Sequence, residues 1–349
     1  MKKYLPYLLI LALLAGAAGW FLYRYSPSTI EKIESNFAVD DVQAIHRIVL
    51  KAIDGHQMEL THEAQGWLID HRYPVNEATL SLLMTAIQKV RPKNVVPPTM
   101  LENVLKDMHQ SSTRIEIYDA ANTLMKAYTV GGPTSNGEGT FMILEVDGHP
   151  AKQAYITGIP GQPSYLTQRY YPSLDNWRNR WVFREDHSSI ETLQVNYHQK
   201  PERSFELERI SGTDSFVMKQ QGALADEQPK QRHIRQYLDF YAAISMEAYE
   251  NNNPIKDSIL RQNPYCTISV KAKNKSVEEA VLYYMPLNER SVTRVDSEGR
   301  PLLYDSEHFY ATVHGGADFV LVQYYVWGNV LRQFSEFYIK PGASKKGSD

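Results

Sequence analysis

Hydrophobic and polar residues in the first half of the chain follow two different periods in succession. From residue 44 to residue 69 apolar and polar residues tend to alternate, which is typical of strands that bury one face. The spacing then changes to three and four residues, with Leu83 and Ile87 on one apolar stripe, which predicts an amphipathic helix. Asn76 is the expected N-cap of this helix, and Pro92 is expected to end it.

The same succession of periods returns in the second half of the chain, roughly 145 to 155 residues later. Residues 189–195 repeat the apolar positions of residues 44–50, and the helical spacing returns from Ile234 to Ile244. A shorter helix and further strands follow in both halves. The last matches pair Tyr155–Thr157 with Tyr310–Thr312, Gly161 with Gly316, and Tyr170–Tyr171 with Tyr324–Tyr325.

This repetition predicts an α+β fold made of two tandem copies of one unit. Each copy is expected to be an antiparallel β-sheet with two helices inserted after its third strand, and the helices should cover one face of the sheet. One N-terminal transmembrane helix is expected to precede the copies. The predicted segments are a membrane anchor or signal peptide at 1–25, a stalk at 26–40, the first repeat at 41–186, the second repeat at 187–340 and a flexible tail at 341–349.

The N-terminal segment predicts where the protein is located. Residues 4–23 carry no charge and are long enough to cross a bilayer as a helix, and Lys2 and Lys3 favour a cytoplasmic N-terminus. The apolar run continues past the small residues around Ala17, so we expect an uncleaved anchor, with a cleaved signal peptide as the alternative. We therefore predict a single-pass protein of the inner (cytoplasmic) membrane with most of its chain in the periplasm.

Composition narrows the class of protein further. The chain is 43% hydrophobic and 22% charged with a formal net charge of −3, which excludes a disordered chain and argues against a nucleic-acid binder. Cys266 is the only cysteine, so an intrachain disulfide is excluded. Because Cys266 lies within a strand pattern, we expect a buried, unreactive thiol.

Several short motifs suggest chemistry, but none has the context that its chemistry requires. The glycines between residues 131 and 139 would suit a phosphate loop, but no Gly-Lys-Ser/Thr follows them. His314–Gly316 would suit an oxyanion hole, but the chain has no Gly-x-Ser-x-Gly elbow, so a turn between strands is expected. The 11 histidines show no metal-ligand spacing. We predict no catalytic residues, no metal site and no cofactor.

Seven short motifs of the first repeat occur at residues 67–69, 73–76, 128–134, 139–142, 159–161, 165–170 and 176–180. Together they resemble the bacterial domain-of-unknown-function 4340 family, most of all its membrane-anchored members in Bacteroidetes. That family has no assigned activity and no assigned catalytic residues. Its members are commonly encoded near subunits of gliding-type ABC transport systems, so the resemblance implies an envelope protein that works beside a transporter.

The preferred hypothesis is a non-enzymatic, membrane-anchored extracytoplasmic scaffold or binding protein, with an ABC transporter or another envelope protein as partner. The alternatives are an extracytoplasmic hydrolase acting on cell-wall or glycan material, and a domain that binds a small molecule or lipid. Exposed loops on rigid sheets commonly carry binding groups. The predicted contact surface is therefore the glycine-rich loop with a nearby strand at 165–170. The alternative is that the glycines only shape a hairpin. The predicted surface comprises Gly131, Gly132, Thr134, Ser135, Asn136, Tyr165, Arg169 and Tyr170.

Overall fold

The computed structural model describes residues 35–338, and the chain divides into two compact units between Asn179 and Arg180. The sequence placed this division a few residues later, after residue 186. The predicted anchor at 1–25, the first part of the predicted stalk and the predicted tail at 341–349 lie outside the described residues. Within residues 35–338, no helix is long and apolar enough to span a membrane.

The strands of the first unit form one antiparallel sheet in the order β4-β3-β2-β1-β6-β7-β8-β10-β5, with β9 paired to β8. Alternation sets the buried face: Ile48 lies opposite both Leu60 and Ile117, and all three side chains are buried. The strands are β1 Ile45–Ala52, β2 Gln57–Glu63, β3 Gly66–Ile69, β4 Tyr73–Pro74, β5 Arg91–Val95, β6 Thr113–Asp119, β7 Leu124–Pro133, β8 Thr140–Val146, β9 His149–Pro150 and β10 Tyr155–Gly158.

The second unit repeats this topology in the order β15-β14-β13-β12-β18-β19-β20-β21-β17, while β11 and β16 pair separately. Leu193, opposite Leu207 and Val270, occupies the place of Ile48. The prediction of two α+β units with antiparallel sheets is therefore confirmed, but in each unit the helices follow a fourth, two-residue strand rather than the third strand. The strands are β11 Trp181–Phe183, β12 Ile190–Tyr197, β13 Phe205–Arg209, β14 Phe216–Gln220, β15 Ala223–Leu224, β16 Ile244–Ser245, β17 Ala248–Tyr249, β18 Cys266–Ala272, β19 Val277–Pro286, β20 Tyr304–Val313 and β21 Asp318–Gln323.

The first long helix begins and ends where the sequence predicts. Helix α1 spans Glu77–Lys89, and the Asn76 side chain accepts hydrogen bonds from the backbone N–H groups of Ala78 and Thr79 at 3.0 and 3.1 Å. Leu83 and Ile87 are fully buried, as predicted. The other helices are α2 Pro98–Gln110, α3 Leu174–Trp177, α4 Gln231–Leu238, α5 Lys256–Leu260 and α6 Tyr324–Trp327.

The long helix of the second unit is shorter than its apolar spacing predicts. Helix α4 ends at Leu238 and continues as a 3₁₀ turn over Asp239–Ala243. Ile244 then enters strand β16, opposite Phe183, rather than a helix. Tyr241 and Ile244 both stay in the core. Burial was therefore predicted correctly, but the tighter turn and the strand that follow were not.

The prediction that the helices cover one face of each sheet is wrong. In the first unit Ile87 of α1 packs in a cluster with Met142 of β8, whereas Met108 of α2 packs in a separate cluster with Phe141. Met142 and Phe141 are consecutive residues of one strand, so their side chains point to opposite faces. The helices α1 and α2 therefore lie on opposite sides of the sheet.

The second unit shows the same two-sided arrangement. Tyr237 of α4 shares a cluster with Leu282, and Ile259 of α5 shares another with the next residue, Tyr283. The strand between the two helices of each unit explains why they lie on opposite faces. Strand β5 pairs with β10, and β17 pairs with β21, each at the edge of its sheet. The chain passes from one face to the other around this edge.

Strand order also corrects two of the predicted matches. Tyr155–Thr157 lies in β10, which occupies the place of β21, whereas Tyr310–Thr312 lies in β20, the counterpart of β8. Gly316 lies in the β20–β21 turn, but Gly161 follows β10, so these glycines are not equivalent either. Alternation looks alike in every strand, which is why a match can slip by one hairpin.

Candidate functional site

The predicted contact loop is a hairpin whose polar groups bond to one another. Gly131 and Gly132 lie inside strand β7, so only the residues after Pro133 form the connection to β8. The Thr134 N–H donates to the Gly139 carbonyl at 2.9 Å, and the Gly139 N–H donates to the Thr134 hydroxyl at 3.0 Å. The Asn136 side-chain oxygen accepts from the Glu138 N–H at 3.2 Å, and exposed Ser135 lies between. These bonds favour a hairpin role.

Gly131 serves the packing of helix α2. A Cβ atom at Gly131 would lie 2.7 Å from Cγ of Met108, closer than real Cβ contacts allow. Glycine therefore lets α2 approach β7. A Cβ at Gly132 would meet nothing within 4 Å. The close approach that Gly131 permits is therefore between two elements of the same unit, β7 and α2.

The other predicted contact residues do not form a strand. Residues Thr167–Arg169 form a 3₁₀ turn, and the Thr167 hydroxyl donates to the Gly131 carbonyl at 2.9 Å, so this segment does reach the glycine-rich strand. Tyr165 is 44% exposed and Arg169 is half-buried. Tyr170, in contrast, is fully buried, and burial raises the pKa of its hydroxyl. Tyr170 therefore belongs to the core rather than to a surface.

A different surface gathers charged side chains on the first sheet. Strands β2, β1 and β6 expose the face opposite to α1, and α2 packs farther along that face, against β7, β8 and β10. We call this surface the charged face and define it by Arg47, Lys51, Glu59, Glu116 and Tyr118. These residues line a hollow of about 470 Å³. Its remaining lining residues are Val49, Gln57, Met58, Asp70 and His71.

Arg47 is the most firmly held cation of the charged face. Its guanidinium carbon lies 3.8 Å from the centre of the Tyr118 ring, within the range of a cation–π contact. Nη1 lies 3.3 Å from a carboxylate oxygen of Glu59, and Nη2 donates to the Asn122 side chain at 2.6 Å. These three partners fix the position of this charge.

The opposite end of the charged face is a second network of fixed charges. Lys51 Nζ lies 3.2 Å from Glu116, which also accepts from Arg114. Arg114 in turn holds Glu145 with two bonds of 2.7 and 2.8 Å. Burial raises the pKa of Glu116, but hydrogen bonds from Arg114 and Lys51 outweigh burial, so its pKa lies below the ordinary value. Glu116 therefore stays ionised at neutral pH.

These contacts decide what the charged face can do chemically. Glu59 and Glu116 each already bond to a cation, so neither is poised as a general acid or base. Fixed charges of both signs beside a tyrosine ring are instead suited to recognising a polar partner. The sequence contained a signal for the charged face, because the alternation in β1 places Arg47 and Lys51 on the same side of the strand. Only the strand pairing shows which acids they meet.

One histidine of the second unit lies between two carboxylates. His308 Nδ1 lies 3.0 Å from Asp305, and Nε2 lies 3.3 Å from Glu247. Burial of the Asp305 carboxyl raises its pKa, but hydrogen bonds from Ser291 and from the Glu307 backbone help to bring the pKa below its ordinary value. Both ring nitrogens of His308 face carboxylates, so this group fixes the start of β20 rather than offering a base to a substrate.

His314–Gly316 and Cys266 lie where the sequence predicts. His314–Gly316 lies in the turn that joins β20 to β21. Cys266 is fully buried, and burial raises the pKa of its thiol, which opposes formation of the reactive thiolate. In the described part of the chain, no group of three or more His, Cys, Asp or Glu side chains is arranged to hold a metal ion.

No protein-family model matches the chain, and no curated protein or solved structure matches it. The resemblance to the domain-of-unknown-function 4340 family stays a prediction.

Proposed function

We propose that this chain is a non-enzymatic scaffold or binding protein whose charged face holds a partner protein. The observation that carries the proposal is the hollow of about 470 Å³ in which Arg47, Lys51, Glu59 and Glu116 are held in place by one another. Side chains that are already ordered lose little conformational freedom when a partner binds. Such a surface is pre-organised for recognition.

The pattern of charge favours a protein partner over a small ligand. The cations of β1 pair diagonally with carboxylates of the two neighbouring strands, Arg47 with Glu59 of β2 and Lys51 with Glu116 of β6. Tyr118 lies beside Arg47. Charges of both signs spread over a sheet face select a surface with the complementary pattern. Tyrosine and arginine are also residue types that interfaces favour.

The proposed location follows from the N-terminal segment. Residues 4–23 would hold the chain in the inner membrane, with both units outside the cytoplasm. The partner would then be an envelope protein, and the family resemblance suggests a subunit of a gliding-type ABC transport system. Position beside a membrane transporter is consistent with a binding role that needs no chemistry of its own.

Site-specific photocrosslinking tests this proposal in intact membranes. A photoreactive residue replaces Gln57, which is exposed at the rim of the hollow. The control places it at Ser204 of the second unit. Ser204 corresponds to Gln57 when Leu207 of β13 is aligned with Leu60 of β2. We expect one covalent partner from Gln57, none from Ser204, and loss of the adduct with Glu116→Lys. An equal yield from both positions, or an adduct unchanged by Glu116→Lys, would contradict the proposal.

A further inference from the structure

Two histidines and a tryptophan form a row across three strands of the first sheet. His62 of β2 lies directly opposite Trp67 of β3, and the two rings stack with centroids 5.3 Å apart. On its other side, His62 meets His46 of β1, with ring centroids 5.5 Å apart and planes at 72°. The sequence separates His46 from His62 by a full hairpin, so no motif reveals the pair.

A β-bulge places His46 in this row. The pairing of β1 with β6 shifts between Ile45 and Arg47, which makes His46 the extra residue of the bulge. Bulges re-aim a side chain and commonly occur at functional positions. The ring of His46 thereby meets that of His62, while Arg47 contributes to the charged face on the opposite side of the sheet.

The second unit has the same bulge but different residue types in the equivalent row. The equivalent shift lies between Ile190 and Thr192, so Glu191 takes the place of His46. Arg209 lies opposite Phe216, with its guanidinium carbon 4.5 Å from the ring centre. A permanent cation therefore occupies the position that His62 occupies in the first unit. Two adjacent imidazoles occur in this row of the first unit alone.

His46 also carries an unpaired polar atom. Its Nδ1 is buried and has no hydrogen-bond partner among residues 35–338. A buried nitrogen without a partner is unfavourable, so a native structure that keeps one calls for an explanation. His62 is exposed, so an ion can reach the pair from solvent.

The spacing of the rings fits a shared metal ion. Imidazole nitrogen binds Zn²⁺ at about 2 Å, so two rings on adjacent corners of a tetrahedron have centroids about 5 Å apart. The observed 5.5 Å is close to this value. Imidazole is a ligand for Cu²⁺, Ni²⁺ and Zn²⁺, and Cu²⁺ binds most tightly of the divalent first-row ions.

We propose that His46 and His62 bind a divalent transition-metal ion, Cu²⁺ most tightly, with water completing the coordination. With two protein ligands, the site is open, unlike the closed four-ligand sites that stabilise small zinc domains. The proposal is independent of the charged face, which lies on the other side of the sheet. Metal binding and partner binding can therefore fail separately.

Trp67 makes the site directly observable. The untagged full-length chain in detergent is titrated with CuCl₂ while tryptophan fluorescence is recorded. Because the Trp67 ring stacks on His62, bound Cu²⁺ quenches its emission, and a large excess of ZnCl₂ restores it. Trp67→Phe should abolish this saturable quenching and retain Cu²⁺ binding by calorimetry. Quenching that persists in Trp67→Phe would place the ion elsewhere and overturn the proposal.

Histidine variants complete the test. We expect His62→Asn to weaken Cu²⁺ binding by at least about tenfold, because one of two protein ligands is lost. His149→Asn removes another exposed histidine and should leave the affinity unchanged. The pair His46→Glu with His62→Arg installs the residue types of the second unit and should abolish binding while near-UV circular dichroism stays native. Equal affinities for wild type and His62→Asn would overturn the assignment.

Discussion

The two units share one topology but present different residues on the same sheet face. Their strand orders correspond one for one, and both insert two helices between the fourth strand and the strand that pairs back onto the first. The buried positions keep their apolar character in both units. The outward positions of the central strand, in contrast, hold different residue types in the two units. Arg47, Val49 and Lys51 of β1 correspond to Thr192, Gln194 and Asn196 of β12.

This difference shows which positions of the shared topology are free to differ. Packing requires apolar residues at the same places in both units, whereas an outward position of a strand is free to change. The charged face therefore belongs to the first unit. The second unit instead has a longer connection between the strands equivalent to β7 and β8, at residues 287–303, where the first unit has a short hairpin at 134–139.

The largest expected effect concerns the shared core. Leu83→Ala removes a fully buried side chain of α1, so we expect the free energy of unfolding to fall by about 2–5 kcal/mol. Urea denaturation followed by circular dichroism measures this change. The neighbouring Leu82 is 52% exposed, and Leu82→Ala should change stability by about 0.5 kcal/mol or less. Similar losses for both variants would show that the register of α1 is wrong.

The next largest expected effect is a difference in stability between alanine variants of the two glycines of β7. Gly131→Ala drives a Cβ into Met108 of α2, so we expect a loss of about 1–3 kcal/mol in unfolding free energy. Gly132→Ala meets open space and should be close to neutral. Thermal and urea denaturation of both variants provide the comparison. A neutral Gly131→Ala would mean that this glycine does not serve the packing of α2.

Helix capping differs between the units and predicts a further contrast. Asn76 caps α1 through its side chain, whereas Lys230, the residue before α4, makes no such bond. Asn76→Ala should therefore lower the unfolding free energy by about 1 kcal/mol, and Lys230→Ala should leave it unchanged. Equal effects of the two changes on the urea midpoint would remove this distinction between the helices.

The smallest expected effect is the pH dependence of stability that Asp305 of the second unit contributes. The pKa of Asp305 is lower in the folded chain than its ordinary value, so the folded chain binds this proton less tightly than the unfolded chain. The resulting stabilisation is present above about pH 4 and is lost as the pH falls through the folded-state pKa. Asp305→Asn should flatten this part of a plot of urea midpoint against pH. An unchanged slope would contradict the assignment.

Local signals in the sequence predicted much of the fold. The alternation in β1 and β2, the stripe with Leu83 and the cap at Asn76 each depend on residues close together in the chain. The placement of the helices on opposite faces depends instead on β5, a five-residue strand that contains Pro92 and shows no alternation. Its pairing with β10 is a long-range contact, and no local pattern encodes it.

The candidate sites show the same limit more strongly. The glycines after Val130 were conspicuous, but the reason for Gly131 is a side chain on α2, which only the structure reveals. Arg47 and Glu59 look like ordinary surface residues until strand pairing brings them together. His46 and His62 likewise become a pair through register and a bulge. Residue types could be read from the sequence, but their neighbours could not.

The outermost strands of both sheets also bear on aggregation. An exposed strand edge is a template on which further chains can add and grow into fibrils. Pro92 in β5 and Pro74 in β4 each lack the N–H that such growth requires, and the outermost strands of the second sheet, β15 and β17, have two residues each. Proline limits fibril growth from the first sheet, and shortness limits it from the second.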